Sequence, residues 1–177
     1  MKIYDFEEWE LTPDTLRDVL SYDEKTGHFY WLVKPSARVH LGQRAGSLDA
    51  KGYRVIKIAG KNYKAHRLAW FYVHDEWPML DLDFINRYTD DNRIKNLREA
   101  TKEQNGGNSG SKKQGKLKGA YWHKREQVWF SAINIDGKQV FLGNYDTEKD
   151  AHVAYCKIAK VKFGEFFYAG AAQNLSR

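Results

Sequence analysis

Among 177 residues there are one cysteine, three prolines and two methionines. A lone Cys156 excludes an internal disulfide and a cysteine-built zinc cluster. It also suits a reducing cytoplasm. No apolar run approaches the ~20 residues that a membrane-spanning helix needs. The opening MKIYDFEEWE is too acidic for a secretory leader, so no membrane partner is expected. The first 104 residues lack net charge as well, with 17 Lys+Arg against 17 Asp+Glu.

Positive charge is concentrated in the C-terminal part of the chain. Residues 105–177 hold 12 Lys+Arg against 6 Asp+Glu, and so carry the whole surplus of +6. A basic module joined to a neutral one points to an anionic partner, with nucleic acid first. The 42% hydrophobic and 15% aromatic content supplies material for a packed core.

NGGNSGSKKQGK is rich in Gly, Ser and Lys and reads as a basic linker over 105–116, dividing a module over 1–104 from one over 117–177. In the first module Thr12 caps a helix from about Pro13 to Leu20, with Leu16, Val19 and Leu20 on one face. HFYWLV and GYRVIKIAGKNYK are β-rich, with a hairpin turn at Ala59-Gly60-Lys61-Asn62. HRLAWFYV fits both periods and is read as helix; a short helix is expected around Asn92–Leu97.

In the second module GAYWHKR, VWFSAINID and KQVFLGNYD read as three antiparallel strands, with a tight turn at Asp136-Gly137. Thr147 caps a following helix whose core face is expected to hold Ala151, Ala154, Tyr155, Ile158 and Ala159. The fold class expected is α+β.

The stretch with the most chemistry is LDLDFINRYTDDNRIKNLREATKEQN, from Leu80 to Asn105. Asp83 is a hard oxygen donor and Asn105 offers an amide oxygen, types that suit Mg²⁺ or Mn²⁺. Taken singly, each asparagine is also a normal turn residue. Together with YKAHRLAWFYVHDEWP and AGSLDAKGYRVIKI, the stretch resembles the HNH nuclease motif of phage and intron-encoded homing endonucleases, over most of residues 11–108. That family reads Asp-His-Ile-Asn, with an asparagine twelve residues beyond the histidine and a His or Asn nine beyond that. Here Asn96 and Asn105 stand at those distances from Phe84.

The resemblance implies a ββα-metal module with an added N-terminal helix and strands, a single Mg²⁺ or Mn²⁺ on Asp83 and Asn105, and Asn96 fixing the loop. It also implies a monomer acting on double-stranded DNA in the cytoplasm of a phage-infected cell. The departure is at Phe84, where the family has its general-base histidine. A benzyl group accepts no proton, and a general base is worth ~10²–10⁴-fold in rate. Weak or absent cleavage is therefore expected. Three explanations stay open: a silencing substitution, a natural non-cutting relative, or another histidine taking over. His66 is the nearest candidate in sequence, and a structural role fits it better.

LKGAYWHKREQVWFSAINIDGKQVFLGNYDTEKDAHVAYCKIAKVKFGEF resembles the Apetala-type DNA-binding domain of plant ethylene-responsive factors, a three-stranded sheet plus helix. In that family the sheet lies in the major groove. Period two puts Ile133, Val140, Leu142 and Tyr145 toward the helix. The opposite face then carries Tyr121, His123, Arg125, Phe130, Ala132, Asn134, Gln139 and Phe141, with Lys118, Lys124 and Lys138 placed for phosphates. The plant domains have arginines and tryptophans there, so their target sequence is not implied.

Overall fold

The computed structural model describes residues 10–110 and 116–170. The chain divides into two compact units, Met1–Glu99 and Ala100–Arg177. Among the described residues no helix is long and apolar enough to cross a membrane.

In the first unit α1 (Pro13–Val19) opens on a capping box between Thr12 and Thr15, and Pro13 sits where its missing N–H costs nothing. It buries Leu16 and Val19. β1 (Leu20–Asp23) and β2 (His28–Trp31) form an antiparallel hairpin in which Leu20 faces Trp31. A second sheet has the order β3 (Ser47–Leu48), β4 (Arg54–Ile58), β5 (Lys61–Lys64). Its hairpin turn is the two residues Ala59 and Gly60, both at positive φ, with Ile58 paired to Lys61. That is tighter than the four-residue turn expected from sequence, and its left-handed backbone suits a two-residue hairpin.

HRLAWFYV lies within a helix, α2 (Ala65–His74), which buries Ala65, His66, Leu68, Ala69 and Phe71. β6 (Asp81–Phe84) pairs with β7 (Leu97–Ala100), and between them lie a loop and a single 3₁₀ turn, Ile94–Asn96. The core gathers Leu16, Leu20, Phe29, Ile56, Ile58 and Leu68, all essentially buried, with Phe84 among them. Gly27, at the tip of the first hairpin, lies close to the loop after β6. A Cβ there would come within 2.4 Å of the Arg93 nitrogen, and its φ of +74° is strained for any other residue.

In the second unit α3 (Lys102–Asn108) opens on a capping box between Thr101 and Gln104. Asn105 to Asn108, read from sequence as linker, are thus helical; residues 111–115 of that linker lie outside the described residues. The glycines misled because one of them answers to packing. A Cβ on Gly107 would come within 2.7 Å of the Phe163 ring.

β8 (Ala120–His123), β9 (Val128–Ile135) and β10 (Lys138–Tyr145) form an antiparallel sheet in the order β10-β9-β8, closed at Asp136-Gly137. α4 (Glu148–Phe163) starts on its Thr147 cap and buries Ala151, His152, Tyr155, Ala159 and Phe163. Of the expected core face Ala151, Tyr155 and Ala159 are buried, Ala154 is half-buried and Ile158 is 42% exposed. Val140, expected in the core, is also exposed, because β10 is an edge strand. Ala132 is buried although it sits on the open face. Its methyl is far shorter than the Phe130, Asn134 and Phe141 side chains around it.

Candidate functional site

β6 carries Asp83 and Phe84 into the interior of the first unit, and both are 6% exposed. Asp83 is held from the neighbouring strand. Both Nε and one terminal nitrogen of Arg98 lie 2.9 Å from Asp83 Oδ2, and each side chain is largely buried. A guanidinium paired through two nitrogens in such a setting is strongly attached, because separation would leave a buried charge unpaired.

Phe84 packs as a core residue. Its ring meets the His66 imidazole edge-on, with centroids 5.1 Å apart, and Tyr53 at 5.9 Å. His66 is buried and its Nδ1 has no hydrogen-bond partner. Burial, helped by the charges of Arg67 and Lys64, pulls its pKa down to about 4. The imidazole is therefore neutral at pH 7.

The loop after β6 is pinned along its length. Asn96 Oδ1 accepts from the Asn86 N–H at 3.0 Å, and Asn96 Nδ2 donates to the Asp91 carbonyl at 2.9 Å. The Asp91 carboxylate takes the Arg93 guanidinium and the Asn86 amide. The Arg93 hydrogen bonds hold the Asp91 pKa below the ordinary carboxylate range. Asp90 is clamped by Arg54 on both oxygens, at 2.7 and 2.9 Å, and by Arg44 at 3.1 Å. Burial works to raise its pKa, but the two guanidiniums outweigh it and the net shift is downward. Thr89 donates to the Gly52 carbonyl, and the Tyr22 hydroxyl donates to that of Asn92. Burial pushes the Tyr22 hydroxyl up to about 12.

Asn105 lies in α3 of the second unit, half-buried. Among the described residues no group of three or more His, Cys, Asp or Glu is placed to hold a metal ion. Of the two donors expected for Mg²⁺ or Mn²⁺, Asp83 has its Oδ2 on the Arg98 guanidinium, and its neighbour Phe84 can ligate nothing.

In the second unit the face of the sheet opposite α4 carries an aromatic stripe. Tyr121 stacks on Phe130 at 5.3 Å, Phe130 lies 6.2 Å from Phe141, and His123 stands edge-on to Phe130. Tyr121 is 44% and Phe141 61% exposed. Asn134 and Gln139 are directly opposite one another on β9 and β10, and both are exposed. Lys124 and Arg125 stand exposed in the turn after β8, and Lys138 is exposed at the start of β10, paired with Ile135 on the helix side.

Lys118 is the exception. Its ammonium donates to the Gly106, Gly107 and Ser109 carbonyls at 2.7–2.9 Å, and burial lowers its pKa to about 8. It ties backbone together rather than reaching for phosphate.

Sequence reasoning missed Arg98, Arg44, Arg54 and Asp90. Arg98 had a signal: once Asp81–Phe84 and Leu97–Ala100 pair antiparallel, a cation beside Asp83 follows. The Asp90 clamps come from residues 36 and 46 positions distant in the chain. No local pattern announces them.

No curated protein matches the chain, nor does any solved structure. The family model described as HNH endonuclease matches residues 63–106, from β5 through α2, β6, the pinned loop and β7 into α3, and so includes Asp83, Phe84, Asn96 and Asn105.

Proposed function

We propose that the chain is a duplex-DNA-binding protein built on a homing-type HNH endonuclease module, with cleavage weak or absent because Phe84 stands where the general base is needed. The match over residues 63–106 supports a nuclease-like module acting on nucleic acid. The succession of β6, β7 and α3 along the chain has the strand, strand, helix order of a ββα unit. The exposed aromatic and amide face of the second unit supports the DNA-reading role.

The carrying observation is the packing of Phe84. Its ring is buried against His66 and Tyr53, so nothing at that position can take a proton from water. Incubating the chain and a Phe84→His variant with supercoiled plasmid in Mg²⁺ or Mn²⁺ tests the reading. Nicking by Phe84→His at least ~10²-fold faster than by the parent is expected, and its abolition by Asp83→Ala or Asn105→Ala would support those two as the ligands. No gain from Phe84→His would sink the assignment of position 84 as the vacant base.

The Arg98–Asp83 pair favours a second reading, in which the module is a non-catalytic binding or protein-inhibiting scaffold. On that reading Phe84→His remains inert, alone or combined with Arg98→Gln.

A further inference from the structure

We propose that the open sheet face of the second unit recognises A·T base pairs through the major groove of duplex DNA. The inference rests on the reading of this unit as a duplex-DNA binder and adds which base pairs it selects.

Apart from the Tyr121 hydroxyl and the His123 imidazole on β8, the polar side chains on that face are amides. Asn134 and Gln139 are cross-strand partners, so they project side by side. A third amide comes from the bulge between Phe141 and Gly143, which shifts the register so that Asn144 pairs with Phe130 instead of Trp129. The shift turns Asn144 onto the open face, where it is exposed. Among the described residues, no position of β8, β9 or β10 that points to this face carries a guanidinium or an ammonium. The cations Lys124, Arg125 and Lys138 lie in or beside the turns, at the rim. The cations thus lie outside the reading surface, which carries no lysine or arginine of its own.

Base-pair chemistry decides what such a surface prefers. Adenine shows an acceptor at N7 and a donor at N6 in the major groove, matched by the one donor and one acceptor edge of an Asn or Gln amide. Guanine shows two acceptors, N7 and O6, which need two donors of the kind arginine supplies; an amide oxygen facing O6 is repelled. Thymine adds a C5 methyl, for which the exposed ring of Phe141, flanked by Phe130, provides apolar contact. Amides plus aromatics without a central cation therefore complement A·T. The surplus of six positive charges over residues 105–177 supplies attraction that does not depend on sequence.

The experiment is fluorescence anisotropy of the full chain on labelled duplexes of equal length, over a salt series. Binding to an A·T duplex about tenfold tighter than to a G·C duplex is expected, the scale of one good bidentate base contact. Inosine·cytosine pairs keep an A·T-like minor groove but present a G·C-like major groove, so an I·C duplex is expected to bind as weakly as G·C. Replacing thymine by uracil removes the methyl and is expected to weaken binding. Asn134→Ala with Gln139→Ala should bring A·T affinity down toward the G·C value while leaving the salt slope unchanged.

Equal affinity for A·T and G·C, or a G·C preference, overturns the proposal and leaves duplex binding intact. I·C binding as tight as A·T overturns it in favour of minor-groove reading. Single strands bound more tightly than either duplex overturn it in favour of base stacking on the aromatic stripe. Absence of any salt-dependent duplex binding overturns both this proposal and the reading beneath it.

Discussion

At position 84 a phenyl ring and a neutral imidazole are buried side by side, and the histidine bears the consequence. The His66 pKa of about 4 lies below its ordinary value of 6.5, so the unfolded chain takes up this proton more readily. Its contribution to stability is complete above pH 6.5 and is lost as the pH falls from there toward 4. The shift corresponds to roughly 3 kcal/mol at ~1.4 kcal/mol per unit. Unfolding in urea at pH 7 and at pH 4.5 should show the parent losing most of that amount, with a His66→Leu variant losing much less. An equal loss in both would place the titrating group elsewhere. The same packing bears on catalysis, since Phe84→His would set a second imidazole against His66 Nδ1, which has no partner now.

Within elements, neighbouring residues of one type serve different ends, and α3 gives the sharpest contrast. Gly106 and Gly107 are adjacent in one helix. A Cβ on Gly106 meets nothing within 4 Å, whereas on Gly107 it meets Phe163 at 2.7 Å. Gly106→Ala should therefore raise stability by about 1 kcal/mol through helix propensity. Gly107→Ala gains the same propensity but incurs overpacking of ~1–3 kcal/mol, and a net loss is expected. Thermal unfolding of the two variants checks the opposite signs.

α4 shows the same dependence on context for periodicity. Its apolar residues recur on two overlapping stripes, and which of them packs depends on the sheet beneath. Tyr155 and Phe163 are buried while Ile158 stays partly exposed.

Across the whole molecule the positive surplus lies in the second unit, yet its lysines are not equivalent. Lys118 is held by carbonyls and Lys124 and Lys138 are exposed. Replacing Lys124 or Lys138 by Ala should reduce the slope of log affinity against log salt by about one each. Lys118→Met should lower the melting temperature and leave that slope unchanged. A slope reduced by Lys118→Met would mean that its ammonium leaves the carbonyls to meet phosphate.

Sequence alone determined a good deal. The capped helices at Thr12 and Thr147 and the Asp136-Gly137 hairpin were legible because they depend on residues a few positions apart. So was the spacing of Asp83, Asn96 and Asn105 around Phe84. What only the tertiary structure decided depends on partners distant in the chain. Arg98 is committed to Asp83, Arg44 and Arg54 clamp Asp90, and Lys118 gathers carbonyls from α3 and beyond. A bulge at Gly143 turns Asn144 to the open face. A guanidinium reads alike in sequence whether it meets a carboxylate or water. Burial and long-range register alone choose between them.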